Sequence, residues 1–311
     1  MLRYVLRRVL FGIVAVIGAS VIVFALSRMS RDPRYLYIGQ AGYGVSQEQW
    51  DAWGREMGLD RPVVVQYGVW LGHVLKGDLG NSTATRKPVA KLIRERVVNT
   101  GQLALGAWLF GTLVGVPLGV FSATNRGRFL DYVARVFALL GQSLPIFWTG
   151  IMGILVFAVM LGWLPAGTKG EGMAIRNVVL PAITLGWMPA AGYLRFTRSS
   201  MLEVLDSEYI KFARAKGVGN AMVIWKHAFK NASLVPLTYS ALLLVGFITG
   251  AVVCETVFSW PGVGSMAVTA IYDNDFPTLA GLVLLFAVLY VVVVLILDML
   301  YGVLDPRIRY E

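Results

Sequence analysis

Charged residues are scarce in this chain. They make up 15% of its 311 residues, against roughly 25% in an average protein, while hydrophobic residues reach 57%. This balance excludes an ordinary soluble globular domain. The hydrophobic residues collect in stretches that approach or exceed the roughly 20 apolar residues needed to cross a bilayer as a helix. The composition therefore predicts an all-α membrane protein.

Cysteine and histidine are nearly absent. Cys254 is the only cysteine, which excludes an internal disulfide bond and a cysteine-based metal cluster. The two histidines, His73 and His227, fall on opposite sides of the membrane in the topology predicted below. We therefore predict no metal site.

The sequence signatures of nucleotide binding and catalysis are missing as well. No Gly-x4-Gly-Lys-Ser/Thr phosphate loop occurs, and the dipeptide Gly-Lys is absent altogether. Neither a nucleophile elbow nor a zinc-binding His-Glu-x-x-His helix is present. The interiors of the apolar stretches hold almost none of the ionisable side chains that mark proton or ion relays. The chain is thus not predicted to be an enzyme or to hold a cofactor, and its energy source must lie in another protein.

Six stretches meet or approach the length of a membrane span. The first follows a basic start, but it is longer than the core of a signal peptide and no small-x-small cleavage site follows, which favours an uncleaved span. The third is interrupted at Ser143-Leu144-Pro145, which predicts an interfacial piece followed by a span. The predicted spans are Val9–Leu26, Gly101–Ala123, Val136–Trp163, Val178–Leu194, Ala232–Cys254 and Phe276–Leu297.

Lysine and arginine set the predicted orientation, because short cytoplasmic loops carry an excess of them. The segment Arg195–Lys230 is rich in both, whereas Glu255–Asp275 has neither, and these segments flank the same span. Both termini are therefore predicted to be cytoplasmic. The net charge of +10 falls mostly on that side, which indicates a membrane protein in contact with lipid rather than nucleic-acid binding. Three arginines oppose this orientation, in a loop too long for the rule to apply: Arg28, Arg31 and Arg34.

The predicted organisation has three parts. Residues 1–26 form an N-terminal tail and the first span, 27–99 an extracytoplasmic segment, and 100–311 a five-span core with a cytoplasmic loop at 195–231. In the extracytoplasmic segment, the spacing of Ser46 and Gln49 is that of a capping box and predicts a helix over Ser46–Met57. The amphipathic pattern of Lys87–Val98 predicts a helix lying on the membrane surface.

Two prolines interrupt the predicted fourth span. Pro181 and Pro189 each remove a backbone hydrogen-bond donor and bend a helix. Membranes tolerate such breaks where neighbouring protein or water satisfies the freed carbonyl groups. A bent span can line a transport pathway or can simply fit its neighbours, and the sequence favours neither.

A basic island, Asp206–Asn231, separates the fourth and fifth spans. Its sequence predicts a helix, a sharp turn and a second short helix. Gly217 and Gly219 permit a backbone reversal that a Cβ would hinder, while Ala213 and Ala215 allow a close approach between helices. Such a segment is typical of a docking element that receives force from another protein.

The island resembles the cytoplasmic loop of ATP-binding-cassette importer permeases, specifically the first permease subunit of the peptide and nickel uptake group. The general signature of such importers is matched strictly only at Ala213 and Gly217. The pattern of the peptide group fits nearly the whole chain, with a departure at Ser30–Pro33, where the group commonly has Pro-Gly-Asp-Pro. The matching blocks are Gly58–Pro62, Gln66–Tyr67, Gly77–Gly80, Ser143–Pro145, Phe147–Trp148, Leu180–Pro181, Arg195, Thr197–Ser199, Tyr209–Ile210, Ala213–Gly217, His227, Asn231–Ala232, Pro236, Glu255–Gly264, Asp298, Tyr301 and Asp305–Tyr310.

The resemblance implies the type I importer fold and a bacterial or archaeal cytoplasmic membrane. This chain and a second, homologous permease subunit would form the pathway as a heterodimer. The other partners would be two ATPase subunits, which bind ATP and magnesium, and an extracytoplasmic substrate-binding protein. The short helix near Val218–Lys226 would transmit the closure of the ATPase subunits to the pathway.

The resemblance also implies roles for individual residues. Lys216 and Lys226 would pair with acidic groups of an ATPase subunit, although the excess of cytoplasmic lysine explains them equally well. His227 would pack against the docking helix or cap it. Trp260-Pro261-Gly262 is predicted to form a rigid outside turn, with an external gate or a binding-protein contact as the alternative. The residues expected to couple to the ATPase are Ala213, Ala215, Lys216, Gly217, Val218, Gly219, Lys226 and His227.

Three classes of function were compared. An intramembrane enzyme lacks paired catalytic groups inside the bilayer. A stand-alone channel or secondary carrier lacks intramembrane charge and leaves the island unexplained. An importer permease is therefore predicted. Peptide is the favoured substrate over nickel because the spans hold no cluster of histidine and acid, although a chelated metal would need none.

Overall fold

The computed structural model describes residues 2–30, 34, 44–56, 58–167 and 175–304, and every structural statement below concerns these residues. Arg31, Met57 and the block that begins at Asp305 lie outside them. The described chain is helical apart from turns and loops and one isolated β-bridge, between Asn81 and Pro88. The first helices are α1 (Leu2–Ser30), α2 (Gln47–Glu56), α3 (Val63–Leu75), α4 (Val89–Thr124), α5 (Phe129–Ser143) and α6 (Ile146–Gly153), which continues as a π-helix over Ile154–Met160.

The second half of the chain is equally helical. The label α9 denotes one helical stretch that runs through Asn220–Met222, the π-helical Val223–Ala228 and Phe229–Ala232. The elements are α7 (Ile175–Leu205), α8 (Glu208–Ala215), α9 (220–232), α10 (Leu234–Val257), α11 (Val263–Tyr272) and α12 (Phe276–Leu304).

Within the described part of the chain, three helical segments are long and apolar enough to cross a membrane: Leu6–Arg28, Val89–Thr124 and Phe276–Ile296. A fourth candidate is α5 taken together with α6 and its π-helical continuation, which meet at an angle of 111°. The bend lies at Leu144 and Pro145, where proline ends the hydrogen-bond ladder of the preceding helix. The break predicted in the third span is therefore confirmed.

The start of α2 confirms the predicted capping box. The backbone N–H of Gln49 donates to the hydroxyl oxygen of Ser46, and the backbone N–H of Ser46 donates to Oε1 of Gln49, each at 3.2 Å. These two bonds satisfy donors that the first turn of a helix leaves without a partner. The helix accordingly begins at Gln47.

The prediction that Lys87–Val98 forms a separate helix on the membrane surface is wrong. This segment is the beginning of α4, which runs without a break for 36 residues. Its apolar side is covered by protein: Val89 is fully buried, and a Cβ added to Gly281 of α12 would lie 2.8 Å from it. Ile93 stands on the same side and approaches the same glycine. The amphipathic pattern thus reflects contact with a helix rather than with a membrane surface.

The chain packs as two compact units. The first draws on Met1–Arg96 and Met266–Leu295, and the second on Val97–Ser265 and the end of α12. In the first unit, Asp275 ties the loop after α3 to the start of α12. Its carboxylate accepts hydrogen bonds from the Ser82 hydroxyl at 2.5 Å, the Thr83 N–H at 3.0 Å and the Thr278 hydroxyl at 2.7 Å.

The stability of this tie is expected to depend on pH. Burial raises the pKa of Asp275, but the hydrogen bonds to its charged form outweigh burial and hold the pKa below its ordinary value. Such a carboxylate stabilises the fold above its unfolded pKa of about 3.9, and this contribution is lost as the pH falls through the lower, folded pKa. Asp275→Asn should therefore lower thermal stability most at neutral pH, and its difference from wild type should shrink on acidification.

The measurement is thermal unfolding of the purified protein in detergent between neutral and acidic pH. Asp273, two residues earlier and exposed, provides the matched control, and Asp273→Asn should follow wild type throughout. A difference for Asp275→Asn that stays constant with pH would contradict the role of the charged carboxylate.

The second unit is built around α7, whose buried side chains include Leu180, Leu185 and Leu194. Glycines of α4 let the two helices approach closely. A Cβ on Gly119 would lie 2.6 Å from the Cβ of Thr197, and one on Gly115 would overlap the carbonyl oxygen of Ala190. Small residues at such contacts replace side-chain packing with backbone packing, as is common between membrane helices.

The two prolines of the predicted fourth span, Pro181 and Pro189, lie inside α7, which remains one helix of 31 residues. Both are buried within the second unit. The carbonyl group of Pro181 accepts a hydrogen bond from the thiol of Cys254 on α10 at 3.4 Å. In this structure the prolines are therefore covered by neighbouring helices.

Candidate functional site

The helix, turn and helix predicted in the Asp206–Asn231 island are present as α8, a glycine turn and α9. Gly217 has a φ angle of +79°, in the left-handed region that side chains with a Cβ rarely adopt. Gly219 has a φ angle of −58° and a ψ angle of 143°, a conformation open to any residue. The prediction that both glycines are needed for the reversal therefore holds only for Gly217.

One side of the island is anchored by apolar packing. Ile210 of α8 and Val223 and Ala228 of α9 are fully buried. They form one cluster with Val120, near the end of α4, and Met201, near the end of α7. The helices α8 and α9 are therefore packed directly against two long helices, in a close-packed interior of the kind that deforms little.

The other residues predicted for this site take different places. Ala213 is buried, whereas Ala215 is exposed and cannot serve helix packing. Val218 is partly buried against the apolar cluster. The ring of His227 lies edge-on to that of Tyr209, with centroids 6.0 Å apart, and the Tyr209 hydroxyl donates to the carbonyl oxygen of His227 at 3.0 Å. His227 thus packs α9 against α8.

Aromatic and basic side chains of the island are also exposed. Phe212 is 61% exposed and Trp225 is 47% exposed. Nζ of Lys216 lies 4.5 Å from the centre of the Phe212 ring, and Lys226 is exposed next to Trp225 in the chain. Exposed aromatic rings are enriched at protein interfaces. We call this surface the docking face; its other exposed members are Tyr209, Lys211, Arg214, Met222 and Lys230.

A buried carboxylate, Asp131, joins the ends of α4, α5 and α7. Its oxygens accept hydrogen bonds from Nε and a terminal nitrogen of Arg198 at 2.9 and 3.1 Å. The Ser122 hydroxyl donates to it at 2.6 Å and the backbone N–H of Gly127 at 3.0 Å. The side chain of Asp131 is only 1% exposed. Charge-assisted bonds of this kind hold the beginning of α5 firmly to α7.

A second buried carboxylate, Glu255, lies at the far end of α10. It accepts hydrogen bonds from the Thr100 hydroxyl at 2.5 Å and from the backbone N–H of Ser265 at 2.8 Å. Gly262 lies directly against the carboxylate, where a Cβ would overlap it. Glu255 therefore holds the turn after α10 against α4.

The residues Trp260-Pro261-Gly262 form that turn. Trp260 is 1% exposed, and its indole N–H donates to the carbonyl oxygen of Asn99 at 2.9 Å. The side-chain amide of Asn99 in turn donates to the carbonyl oxygen of Pro261 at 2.7 Å. Trp260 and Gly262 are buried and Pro261 is partly exposed, so in this conformation only Pro261 offers a surface to another protein.

The geometry of the island supports docking. Among the described residues no group of three or more histidine, cysteine or acidic side chains is placed to hold a metal ion. The docking face instead presents rings and cations outward while its reverse side is packed onto α4 and α7. This arrangement can bind a partner and pass on its movement.

Residues 115–310 match the model of the family described as binding-protein-dependent transport system inner membrane component, and residues 1–104 match the model of its N-terminal region. The chain belongs to this family. It is a permease of an inner membrane transport system, and it crosses the membrane more than once.

The permease is similar over its full length to two relatives that are named for peptide transport. It is 37% identical over 340 residues to the dipeptide transport system permease protein DppB of Escherichia coli (strain K12), with 100% of both chains covered. It is 36% identical over 319 residues to the oligopeptide transport system permease protein AppB of Bacillus subtilis (strain 168), again with 100% of both covered.

The permease also resembles a solved structure of the MetNI methionine ABC transporter in an inward-facing conformation. The TM-score is 0.55 at 18% sequence identity, covering 69% of this chain and 96% of that chain. This similarity shows that the two chains share a fold over that part of the permease.

Sequence reasoning missed several residues of these clusters. Phe212 and Trp225 were not singled out, although aromatic residues in an otherwise polar island are a signal of a contact surface. Arg198 was noted for its charge and as part of the family pattern, but no partner was predicted for it. Asp131 could have been found as the one acidic residue among the arginines that follow α4.

Proposed function

We propose that this permease forms half of the membrane pathway of an ATP-binding-cassette importer that takes up peptides. The relatives matched over their full length are named for dipeptide and oligopeptide transport, which supports peptide as the substrate class. The other half of the pathway is a second, homologous permease. The chain itself hydrolyses nothing in this proposal, because ATP and magnesium bind to two partner ATPase subunits.

The proposed topology has six spans and cytoplasmic termini. α7 with 31 residues and α10 with 24 supply the two spans beyond the four candidates found by length and composition. Helices of that length reach about 46 and 36 Å, more than the roughly 30 Å of a hydrocarbon core. The basic island between them supports a cytoplasmic position for 195–231. Residues 27–99 are then the extracytoplasmic segment, where the substrate-binding protein docks, and 100–311 the five-span core.

The observation that carries the proposal is the docking face and its buried attachment. Closure of the ATPase dimer around ATP would push on α8 and α9 through Phe212 and Trp225. The movement would then reach α4 and α7, because Ile210 and Val223 pack with residues of both. Nucleotide on one side and the loaded binding protein on the other would bias the same two-state equilibrium of the pathway.

The test of coupling is Gly217→Trp, which is expected to abolish the stimulation of ATP hydrolysis by peptide-loaded binding protein. Tryptophan at a φ angle of +79° strains the turn and adds bulk beside the docking face. The measurement is the ATPase rate of the reconstituted complex. Gly219→Ala is the matched control, because the backbone of Gly219 is open to any residue and a Cβ there would meet no atom within 4 Å.

Loss of stimulation, or loss of co-purifying ATPase subunits, for Gly217→Trp but not for Gly219→Ala would support the proposed coupling site. Unchanged assembly and stimulation in both variants would exclude it and favour a carrier that works alone. Stimulation by a binding protein loaded with a nickel complex and not with peptide would change the substrate class and leave the coupling site intact.

A further inference from the structure

The helix α3 (Val63–Leu75) is apolar but has no buried residue. Val64 is 80% exposed, Leu75 is 79% exposed and Val69 is 48% exposed. Soluble proteins rarely expose so many large apolar side chains along one short helix. Only one side chain within the helix can carry a charge, His73, whose Nδ1 lies 3.3 Å from the Asp78 carboxylate. The apolar face of α3 therefore needs an apolar environment.

The contacts of α3 fix its position beside α1. The Tyr67 hydroxyl and the Ser20 hydroxyl are hydrogen-bonded at 2.8 Å. The rings of Phe24, Tyr67 and Trp70 form one cluster, in which the Phe24 centroid lies 5.5 Å from each of the other two. The guanidinium group of Arg28 lies 5.2 Å from the centre of the Phe24 ring. A group of tyrosine, tryptophan and arginine at the end of a span is typical of the boundary between hydrocarbon and head groups.

The length of α1 gives the depth of these contacts. Arg8 and Arg28 are 20 residues apart in one helix, a distance of about 30 Å at 1.5 Å per residue, which is also the thickness of a hydrocarbon core. With these arginines at the two boundaries, Phe24 lies about 6 Å and Ser20 about 12 Å inside the bilayer. Tyr67, which contacts both, must lie at a similar level. The helix α3 is thus placed within a leaflet rather than above the membrane.

We infer that α3 is an interfacial helix whose exposed face is covered by the acyl chains of the leaflet at the C-terminal end of α1. The exposed valines and leucine of α3 continue the lipid-facing surface of α1, where Val14 and Ile22 are 59% and 60% exposed. Arg61 and Lys76, just outside the two ends of the helix, are placed to reach the head groups. Interfacial helices bury an apolar face in this way to a depth of about 5–10 Å. With the topology proposed above, this is the outer leaflet.

The inference is tested with variants of the full chain that each carry one added cysteine, expressed with its partner subunits and reconstituted into liposomes. Val64→Cys and Leu75→Cys are labelled with a bimane fluorophore, and quenching by phosphatidylcholine with brominated acyl chains is measured. Val14→Cys serves as the lipid-facing control and Glu48→Cys, exposed on α2, as the control without an apolar neighbourhood. Wild type is the unlabelled blank, because Cys254 is fully buried.

The expected result is quenching at Val64 and Leu75 comparable to that at Val14, with little at Glu48. Quenching by aqueous iodide at both sites, without quenching by the brominated lipid, would place α3 in water and overturn the inference. Protection from iodide only after addition of the substrate-binding protein would also overturn it, since the face would then be covered by that protein. Neither outcome touches the proposed importer function, which rests on the docking face.

Discussion

Replacing Gly115 with leucine is expected to leave almost no folded permease in the membrane. A Cβ at this position would overlap the carbonyl oxygen of Ala190 and lie 2.7 Å from the Cβ of Tyr193. Neither atom is the end of a flexible side chain, so the helices α4 and α7 would have to separate. Overpacking of this severity costs about 3 kcal/mol or more, which is a large part of the roughly 5–15 kcal/mol that stabilises a typical protein.

The measurement is the yield of monodisperse protein after detergent extraction and size-exclusion chromatography. Gly101→Leu is the matched control, because Gly101 belongs to the same helix and a Cβ there would meet no atom within 4 Å. Gly115→Ala should fall between them, with a cost of about 1–3 kcal/mol. Equal yields for Gly115→Leu and Gly101→Leu would contradict the close approach of α4 and α7.

Arg198→Leu is the second substitution that is expected to lower the free energy of unfolding strongly. The substitution leaves the Asp131 carboxylate buried without its principal partner, which costs 3–5 kcal/mol in comparable ion pairs. We expect about 3 kcal/mol, the lower end of that range, because Ser122 and Gly127 still donate to the carboxylate and Arg135 lies 3.8 Å from it. The measurement is the midpoint of thermal unfolding in detergent.

Two further variants make this test specific. Arg126→Leu removes the arginine of an exposed ion pair with Asp206, 3.7 Å long, and should leave the midpoint unchanged because such pairs contribute little. Asp131→Leu combined with Arg198→Leu should recover part of the stability, since removing both partners leaves no buried charge. A midpoint for Arg198→Leu equal to that for Arg126→Leu would show that Asp131 is already well solvated.

The features that could be predicted from the sequence are those set by neighbouring residues. The capping box of Ser46 and Gln49, the break at Pro145 and the turn at Gly217 each depend on backbone preferences within a few positions. The basic island Asp206–Asn231 could be predicted for the same reason. Backbone preferences of this kind are determined by short segments and are retained in the folded protein.

The features that could not be predicted depend on which elements meet. Glycines recur every fourth residue at Gly111, Gly115 and Gly119, but this spacing reveals a face and not the helix that packs against it. The amphipathic pattern of Lys87–Val98 shows the same ambiguity, because an apolar face is satisfied equally well by lipid and by a helix such as α12. Asp131 and Arg198 stand 67 positions apart, and no local rule joins them.

The hydrogen bond between Ser82 and Asp275 joins residues 193 positions apart, and this sets an order of assembly during synthesis. At about 5–20 residues per second, the ribosome needs roughly 10–40 s to travel from one to the other. Throughout that interval the loop after α3 lacks the carboxylate of Asp275, and Val89 has no Gly281 to cover it. The first unit therefore cannot close until α12 has been made.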